Sequence, residues 1–203
     1  MIDLEQELRR PQAGELDRGR FAVAFARRAQ AAGLLDVAYA TMDSPLGELL
    51  VAVTPRGLVR VAYDGESEER VLAELAERVS PRVLQAPHRT DAVRHELASY
   101  FAMRRHRFET PIDWTLVHGF ARGVLRETAR VPYGSVTTYG KVARAAGSPR
   151  AARAAGNALG SNPIPIVVPC HRVLTPMAGW AATRAASTAS GSCSPSRGRS
   201  RSD

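Results

Sequence analysis

The chain has 203 residues, 44% of them hydrophobic, a formal net charge of +8 and a pI of about 10.4. That is enough chain for one or two domains with a real core, and the basic balance admits a polyanionic partner, although with Lys141 as its single lysine nearly all the cationic charge is arginine, a bias that a GC-rich genome also produces. Two cysteines, Cys170 and Cys193, are too few for a disulfide framework and lack Cys/His neighbours at zinc spacing; with no apolar run of membrane-spanning length and no secretory pattern, a cytoplasmic protein with free thiols is expected.

Residues 1 to about 35 are charged and alanine-rich. The apolar spacing of GRFAVAFARRAQAAGLL is helical and ends near Gly33, predicting an N-terminal helical extension whose arginines form a solvated face. From Asp36 the period changes to two. DVAYATM, GELLVAVT and GLVRVAYDG read as short strands separated by DSPLG and PRG, a small antiparallel meander. EERVLAELAERV and DAVRHELASYFAM read as amphipathic helices that complete an α+β unit over residues 36–112. His95 and His106 fall on charged surface there and receive no role.

Residues 113–175 read as a second unit. HGFARGVLRETARVP is one helix, stopped before Pro132. YGSVTTYGKVARAAG opens with a turn and a short extended piece, becomes helical from about Thr138 and stops at Gly147. SPRAARAAGNALG follows, with Ser148 as N-cap, Pro149 at the first helical position and Gly160 near the end. Two short helices across a tight glycine-containing turn make a helix-turn-helix. Arg150 and Arg153 lie among alanines on the second helix, where small side chains let the backbone approach a groove wall and arginine reaches phosphates or bases.

SNPIPIVVPCHRVL, residues 161–174, ends this unit. PIPIVV reads as a buried strand or extended segment stiffened by Pro163, Pro165 and Pro169, with Cys170 at its end and His171 next. From the residues alone, Cys170 is either a small buried hydrophobe or a thiolate nucleophile served by His171 as base and Asn162 as an orienting partner. Adjacent side chains on a strand point apart, so a Cys–His relay needs a turn or a bridging water.

The stretch NPIPIVVPCHR resembles the active-site signature of the methylated-DNA–protein-cysteine methyltransferases, the O6-alkylguanine-DNA alkyltransferases. DSPLGELLVA, GFARGVLRETARVPYGSVTTYGKVA and SPRAARAAGNALGSNP resemble other parts of that family in the same order, from about residue 36 to residue 175. The resemblance implies a ribonuclease H-like α+β domain followed by an all-α, winged helix-turn-helix-like DNA-binding domain, acting as a monomer on double-stranded DNA. It implies irreversible, stoichiometric transfer of an alkyl group from O6-alkylguanine, and from O4-alkylthymine, to Cys170, with no cofactor and no metal. His171 then helps to remove the thiol proton through water, and Asn162 joins the same network. Tyr139 crowds the 3′ phosphate and donates to the guanine ring. The carbonyls of Cys170 and Val173 accept from the exocyclic amine, with Pro169 also at the substrate. Arg153 fills the gap left by the flipped nucleotide; Arg150, Ala154 and Asn157 join it as DNA-binding residues, and the helix lies in the minor groove. The base must leave the stack because its alkyl carbon is out of reach inside the duplex. The alternative is a non-catalytic sensor of alkylated DNA, against which the retained Cys170 argues.

The resemblance ends after Leu174. Where the family has a glycine-rich loop with a tyrosine and a C-terminal helix ending in Leu-Glu, this chain reads TPMAGWAATRAASTASGSCSPSRGRSRSD, a Ser/Arg/Ala-rich tail whose composition predicts disorder, with Cys193 in no role. A one-base shift would account for it. With suitable GC-rich synonymous codons around the single-codon residues Met177 and Trp180, the neighbouring frame can encode GGLGGYAGGLDRKRLLLTLEGALAE and then a stop. As it stands, the tail lacks what the resemblance puts there, one wall of the alkyl pocket and the distal carboxylate of the cysteine network, so the resemblance implies that transfer by this chain is impaired. Sequencing the gene across codon 177 is expected to show that displaced frame; an intact frame with no displaced homology would remove the reading.

Overall fold

The computed structural model describes residues 24–29 and 31–175. Most of the predicted N-terminal extension, and the tail from 176 with Cys193 and the shifted frame, lie outside the described residues. Residues 24–29 are helical, with Ala26 and Ala29 buried and Arg27 and Arg28 exposed.

The period-two segments form a mixed sheet of four strands, β1 (Val37–Met42), β2 (Leu49–Thr54), β3 (Gly57–Tyr63) and β4 (Val83–Gln85), in the order β3-β2-β1-β4. The β1–β2 and β2–β3 pairs are antiparallel, as the meander predicts. β4 runs parallel to β1 and is an addition to that prediction; three residues carry too little period to read as a strand. All six residues of β2 are buried, because strands cover it on both edges and layers cover both faces. Helix α1 (Glu68–Arg78) starts at Ser67, whose hydroxyl accepts from the Arg70 N–H, and buries Val71 and Leu75. Helix α2 (Pro87–Phe101) begins four residues before the predicted DAVRHEL stretch, since Pro87 suits a first helical turn, and it packs on β1 and β2 through Thr90, Val93 and Leu97.

The second unit is helical. Helices α3 (Gly119–Ala129), α4 (Tyr139–Ala145) and α5 (Ala152–Gly160) pack on one another through Val124, Leu125, Val142, Ala143, Ala155, Ala158 and Leu159. α4 ends in a Schellman cap: Gly147 takes a φ of +87° and the Ser148 N–H donates to the Ala143 carbonyl at 2.9 Å. A two-residue ladder, β5 (Thr137–Thr138) parallel to β6 (Val173–Leu174), joins the start of α4 to the end of the chain's cysteine segment.

β3 is an edge strand, and an unpaired edge is a template for association. The chain covers it twice. Residues 111–113 run along it, with Leu58 N–H to the Pro111 carbonyl and Asp113 N–H to the Leu58 carbonyl, each 2.8 Å. Farther along, the Val61 N–H donates to the Pro163 carbonyl at 2.9 Å. The first approach requires Gly57, since a Cβ there would stand 2.1 Å from the Pro111 carbonyl oxygen, and its φ is +131°.

Asp113 anchors this linker from within the core. It is 4% exposed, accepts from the Thr54 hydroxyl (2.6 Å), Arg56 Nε (3.1 Å) and the Thr115 hydroxyl (2.5 Å), and takes the Thr115 N–H at 3.0 Å. Burial by itself would raise its pKa; the hydrogen bonds from Thr115, Thr54 and Arg56 outweigh it and hold the carboxyl below its ordinary value. Because the folded pKa is depressed, the group stabilises the fold above the unfolded carboxylate pKa, and that contribution is lost as pH falls through the folded value. Asp113→Ala is expected to cost about 1–3 kcal/mol in urea unfolding at pH 7, and the gap from the unsubstituted protein should narrow on acidification; a gap independent of pH would contradict the charged state.

Candidate active site and nucleic-acid interface

The cysteine segment is a compact turn, which corrects the expectation of an extended strand. Pro163, Pro165 and Pro169 have no N–H to give a ladder, so the segment bonds to itself. Val167 N–H donates to the Pro165 carbonyl (2.8 Å) and Val168 N–H to the Ile164 carbonyl (2.9 Å). Ile166 sits in the left-handed region at φ +71°, an uncommon conformation for a β-branched residue, held by the burial of every residue from 163 to 169. Asn162 closes the turn: its Nδ2 donates to the Val168 carbonyl and its Oδ1 accepts from the Ile164 N–H, both at 3.0 Å. Its amide therefore works on the backbone that carries the cysteine.

Cys170 is a free, half-buried thiol whose N–H donates to the Val168 carbonyl at 2.9 Å. It opens the 3-10 turn Cys170–Arg172, in which successive side chains diverge by about 120°. His171 thus points away from the thiol axis and is exposed. Partial desolvation of its ring, and then the neighbouring Arg172 cation, hold its pKa below 6.5, so it is neutral and able to accept a proton at pH 7. Arg172 faces inward. It donates to the Val131 carbonyl (3.0 Å) and the Tyr100 hydroxyl (3.3 Å), and its guanidinium lies 5.3 Å from the Tyr133 ring centre. No local pattern in the sequence marks Arg172; in the fold it fastens the far end of the turn to both units.

A cavity of about 370 Å³ opens at the thiol, walled by Leu159, Asn162, Pro163 and Pro165 on one side and by Arg60 and Tyr63 of the sheet on the other. Pro169 is buried under the turn, and Val173 is the buried first residue of β6. Through the ladder, Thr137 pairs with Val173 and Thr138 with Leu174, which brings Tyr139 to the neighbourhood of the cysteine turn although 31 positions separate it from Cys170. Thr138 also caps α4, its hydroxyl accepting from the Lys141 N–H at 3.3 Å. A Cβ added at Gly156 of α5 would stand 3.8 Å from the Tyr139 ring, so the tyrosine at the head of α4 lies beside α5.

On α5 the outward residues are Arg153, Ala154 and Asn157, a single face at helical spacing. Arg150 is exposed but lies before the helix, a correction to the predicted start at Ser148. Ser148 and Pro149 form a β-turn instead, closed by Ala151 N–H to the Ser148 carbonyl at 3.0 Å, and proline at the second position of such a turn is favoured. From residue 128 to 175 the chain has no Asp or Glu, while Arg130, Lys141, Arg144, Arg150, Arg153 and Arg172 are basic. Five of those six are exposed; Arg130 is held by Glu127 at 2.5 Å, and the other four leave a surface suited to phosphates. No helix among the described residues is long and apolar enough to cross a membrane.

Known proteins share this arrangement. Residues 37–114 match the family model of the 6-O-methylguanine DNA methyltransferase ribonuclease-like domain, and residues 119–188 that of the 6-O-methylguanine DNA methyltransferase DNA binding domain. The chain is 37% identical over 140 residues to a methylated-DNA–protein-cysteine methyltransferase of Mycolicibacterium paratuberculosis, covering 68% of this chain and 78% of the relative. It is 35% identical over 142 residues to the human protein of that name, covering 66% and 67%. Among solved structures, Mycobacterium tuberculosis O6-methylguanine methyltransferase superposes with a TM-score of 0.58 at 31% identity, covering 73% of this chain and 89% of that one. The same organism's OGT in complex with DNA gives a TM-score of 0.57 at 32% identity, covering 68% and 79%.

Asn162→Ala is expected to lower unfolding free energy by about 1–3 kcal/mol, because it leaves the buried Ile164 N–H without a partner and takes from the Val168 carbonyl one of its two donors. Urea denaturation checks this; an unchanged midpoint would mean that water replaces the amide.

Proposed function

Because this chain belongs to the methylated-DNA–protein-cysteine methyltransferase family, whose members repair DNA by moving an alkyl group onto a cysteine of their own, we propose that Cys170 is the acceptor and O6-alkylguanine, with O4-alkylthymine, the lesion. The observation that carries this reading is a free thiol on a stiff turn at a cavity mouth, which the β5–β6 ladder ties to the head of α4 and so to the basic helical unit.

The chemistry is a single displacement. The Cys170 thiol loses its proton, the sulfur bonds to the alkyl carbon, the O6–carbon bond breaks, and the electron pair passes into the guanine ring, which ends protonated at N1. No proton is gained or lost overall. The thiolate, not the thiol, is the nucleophile, so a neutral His171 reached through water is a useful relay for the proton. Asn162 keeps the turn closed while the sulfur reacts, the Tyr139 hydroxyl donates to the leaving purine, and the carbonyls of Cys170 and Val173 select its exocyclic amine. Pro169 stiffens the approach. Arg153 enters the stack in place of the everted nucleotide, with Ala154 and Asn157 close to the groove and Arg150 on phosphate. The protein works once, as a monomer in the cytoplasm, without cofactor.

Intact-mass spectrometry after incubation with duplex DNA carrying O6-methylguanine should show a gain of about 14 Da per chain, mapped to Cys170, with Cys170→Ala binding the duplex but gaining nothing. Lesion-selective binding without mass gain would overturn transfer and leave a damage sensor.

A further inference from the structure

Arg60 breaks the apolar run of β3. Its neighbours Leu58, Val59, Val61 and Ala62 are all buried, and Arg60 itself is only 8% exposed. A buried charge is tolerated only when it is matched and hydrogen-bonded. Here Nη2 pairs with Glu66, Nε lies 3.5 Å from Glu74 Oε2, and Nη1 donates to the Val61 carbonyl at 2.7 Å and the Pro163 carbonyl at 3.3 Å.

Three of those partners belong to the sheet unit. The fourth belongs to the cysteine segment. The Pro163 carbonyl also takes the Val61 N–H at 2.9 Å, so two donors from adjacent residues of one strand occupy both of its lone pairs. The path to the sulfur is then short. Pro163 follows Asn162, the Asn162 amide holds the Val168 carbonyl, and that carbonyl holds the Cys170 N–H. Glu66 and Glu74 keep the guanidinium in its orientation, because a planar fork with fixed donors leaves little rotational freedom once both terminal nitrogens are hydrogen-bonded and Nε faces a carboxylate.

We propose that Arg60 is a positioning residue for alkyl transfer: through the Pro163 carbonyl the buried guanidinium of the N-terminal sheet sets where the Cys170 turn stands. The N-terminal unit thereby takes part in the reaction without touching substrate. The role rests on the reading of Cys170 as acceptor, and its effect on the turn is separable from that reading.

The test uses the full chain with Arg60→Met and Arg60→Lys. In single-turnover transfer from an O6-methylguanine duplex, Arg60→Met should lower the first-order rate constant by about tenfold to a hundredfold, the penalty of a misplaced reacting group. Affinity for the lesion duplex should stay within about twofold, because the helical DNA face is untouched. Hydrogen exchange should rise about tenfold in peptides covering 162–172 while those covering α3 keep their protection. Arg60→Lys, which keeps the charge but not the fork, should recover part of the rate, and it replaces Arg60→Met in every readout if that variant does not fold. Unchanged exchange in 162–172, or an equal rise across α3 and the cysteine turn, overturns the proposal, since the first denies the contact and the second is general destabilisation. If the unsubstituted protein transfers nothing, the acceptor reading fails, and the exchange comparison still decides whether Arg60 holds the turn.

Discussion

The side-chain amide of Asn162 is the interaction on which the cysteine site depends. Three prolines leave the segment after it short of donors, and the segment is buried, so any backbone group without a partner would be costly. Asn162 supplies an acceptor for the Ile164 N–H and a donor for the Val168 carbonyl, folding the segment on itself. The closed turn accepts strain at Ile166, about 1–3 kcal/mol for a left-handed non-glycine residue, which burying Ile164, Val167 and Val168 at about 1.5–3 kcal/mol each readily offsets. The result is a rigid stub with the thiol at its tip, suited to a reaction that occurs once and has no later step to move for.

Rigidity in one segment does not assemble a site. Two contacts distant in sequence do that. The β5–β6 ladder sets the register between the cysteine turn and the head of α4, and so the place of Tyr139. The edge of β3 takes the Pro163 carbonyl, and so fixes the depth at which the turn sits against the sheet. Arg172 holds the far side through Val131 and Tyr100. The turn is braced from both units, and the half-buried thiol faces the cavity between them.

Charge is divided in the same way. The carboxylates that matter to the core, Asp113, Glu66 and Glu74, lie in or beside the sheet and neutralise Arg56 and Arg60. From residue 131 to 175 the helical unit has cations and no acids, so their field is left for an outside polyanion. Internal pairing and external recognition thus use the same residue type, arginine, and differ by whether a carboxylate is near.

Periodicity and turn residues were sufficient for the antiparallel strands, for α1, for α4 with its Gly147 stop, and for the order of an α+β unit before a helical one, because those signals are local. The candidate chemistry was legible for the same reason: Asn162, the prolines, Cys170 and His171 are contiguous, and their pattern carries the family resemblance. β4 was not legible, being three residues paired by a distant strand, and neither was the turn that replaced the predicted strand, since apolar burial alone does not distinguish them. The start of α5 moved from Ser148 to Ala152 because a β-turn competed for the same Ser-Pro pair. The role of Arg60 had a trace in the sequence, one arginine in an apolar strand. Its meaning came only from the tertiary structure, which brings Glu66, Glu74 and the Pro163 carbonyl to one guanidinium. Sequence alone determined which groups can react; the packing of the sheet edge against the cysteine turn decided where they stand, because only long-range contacts set distances between residues far apart in the chain.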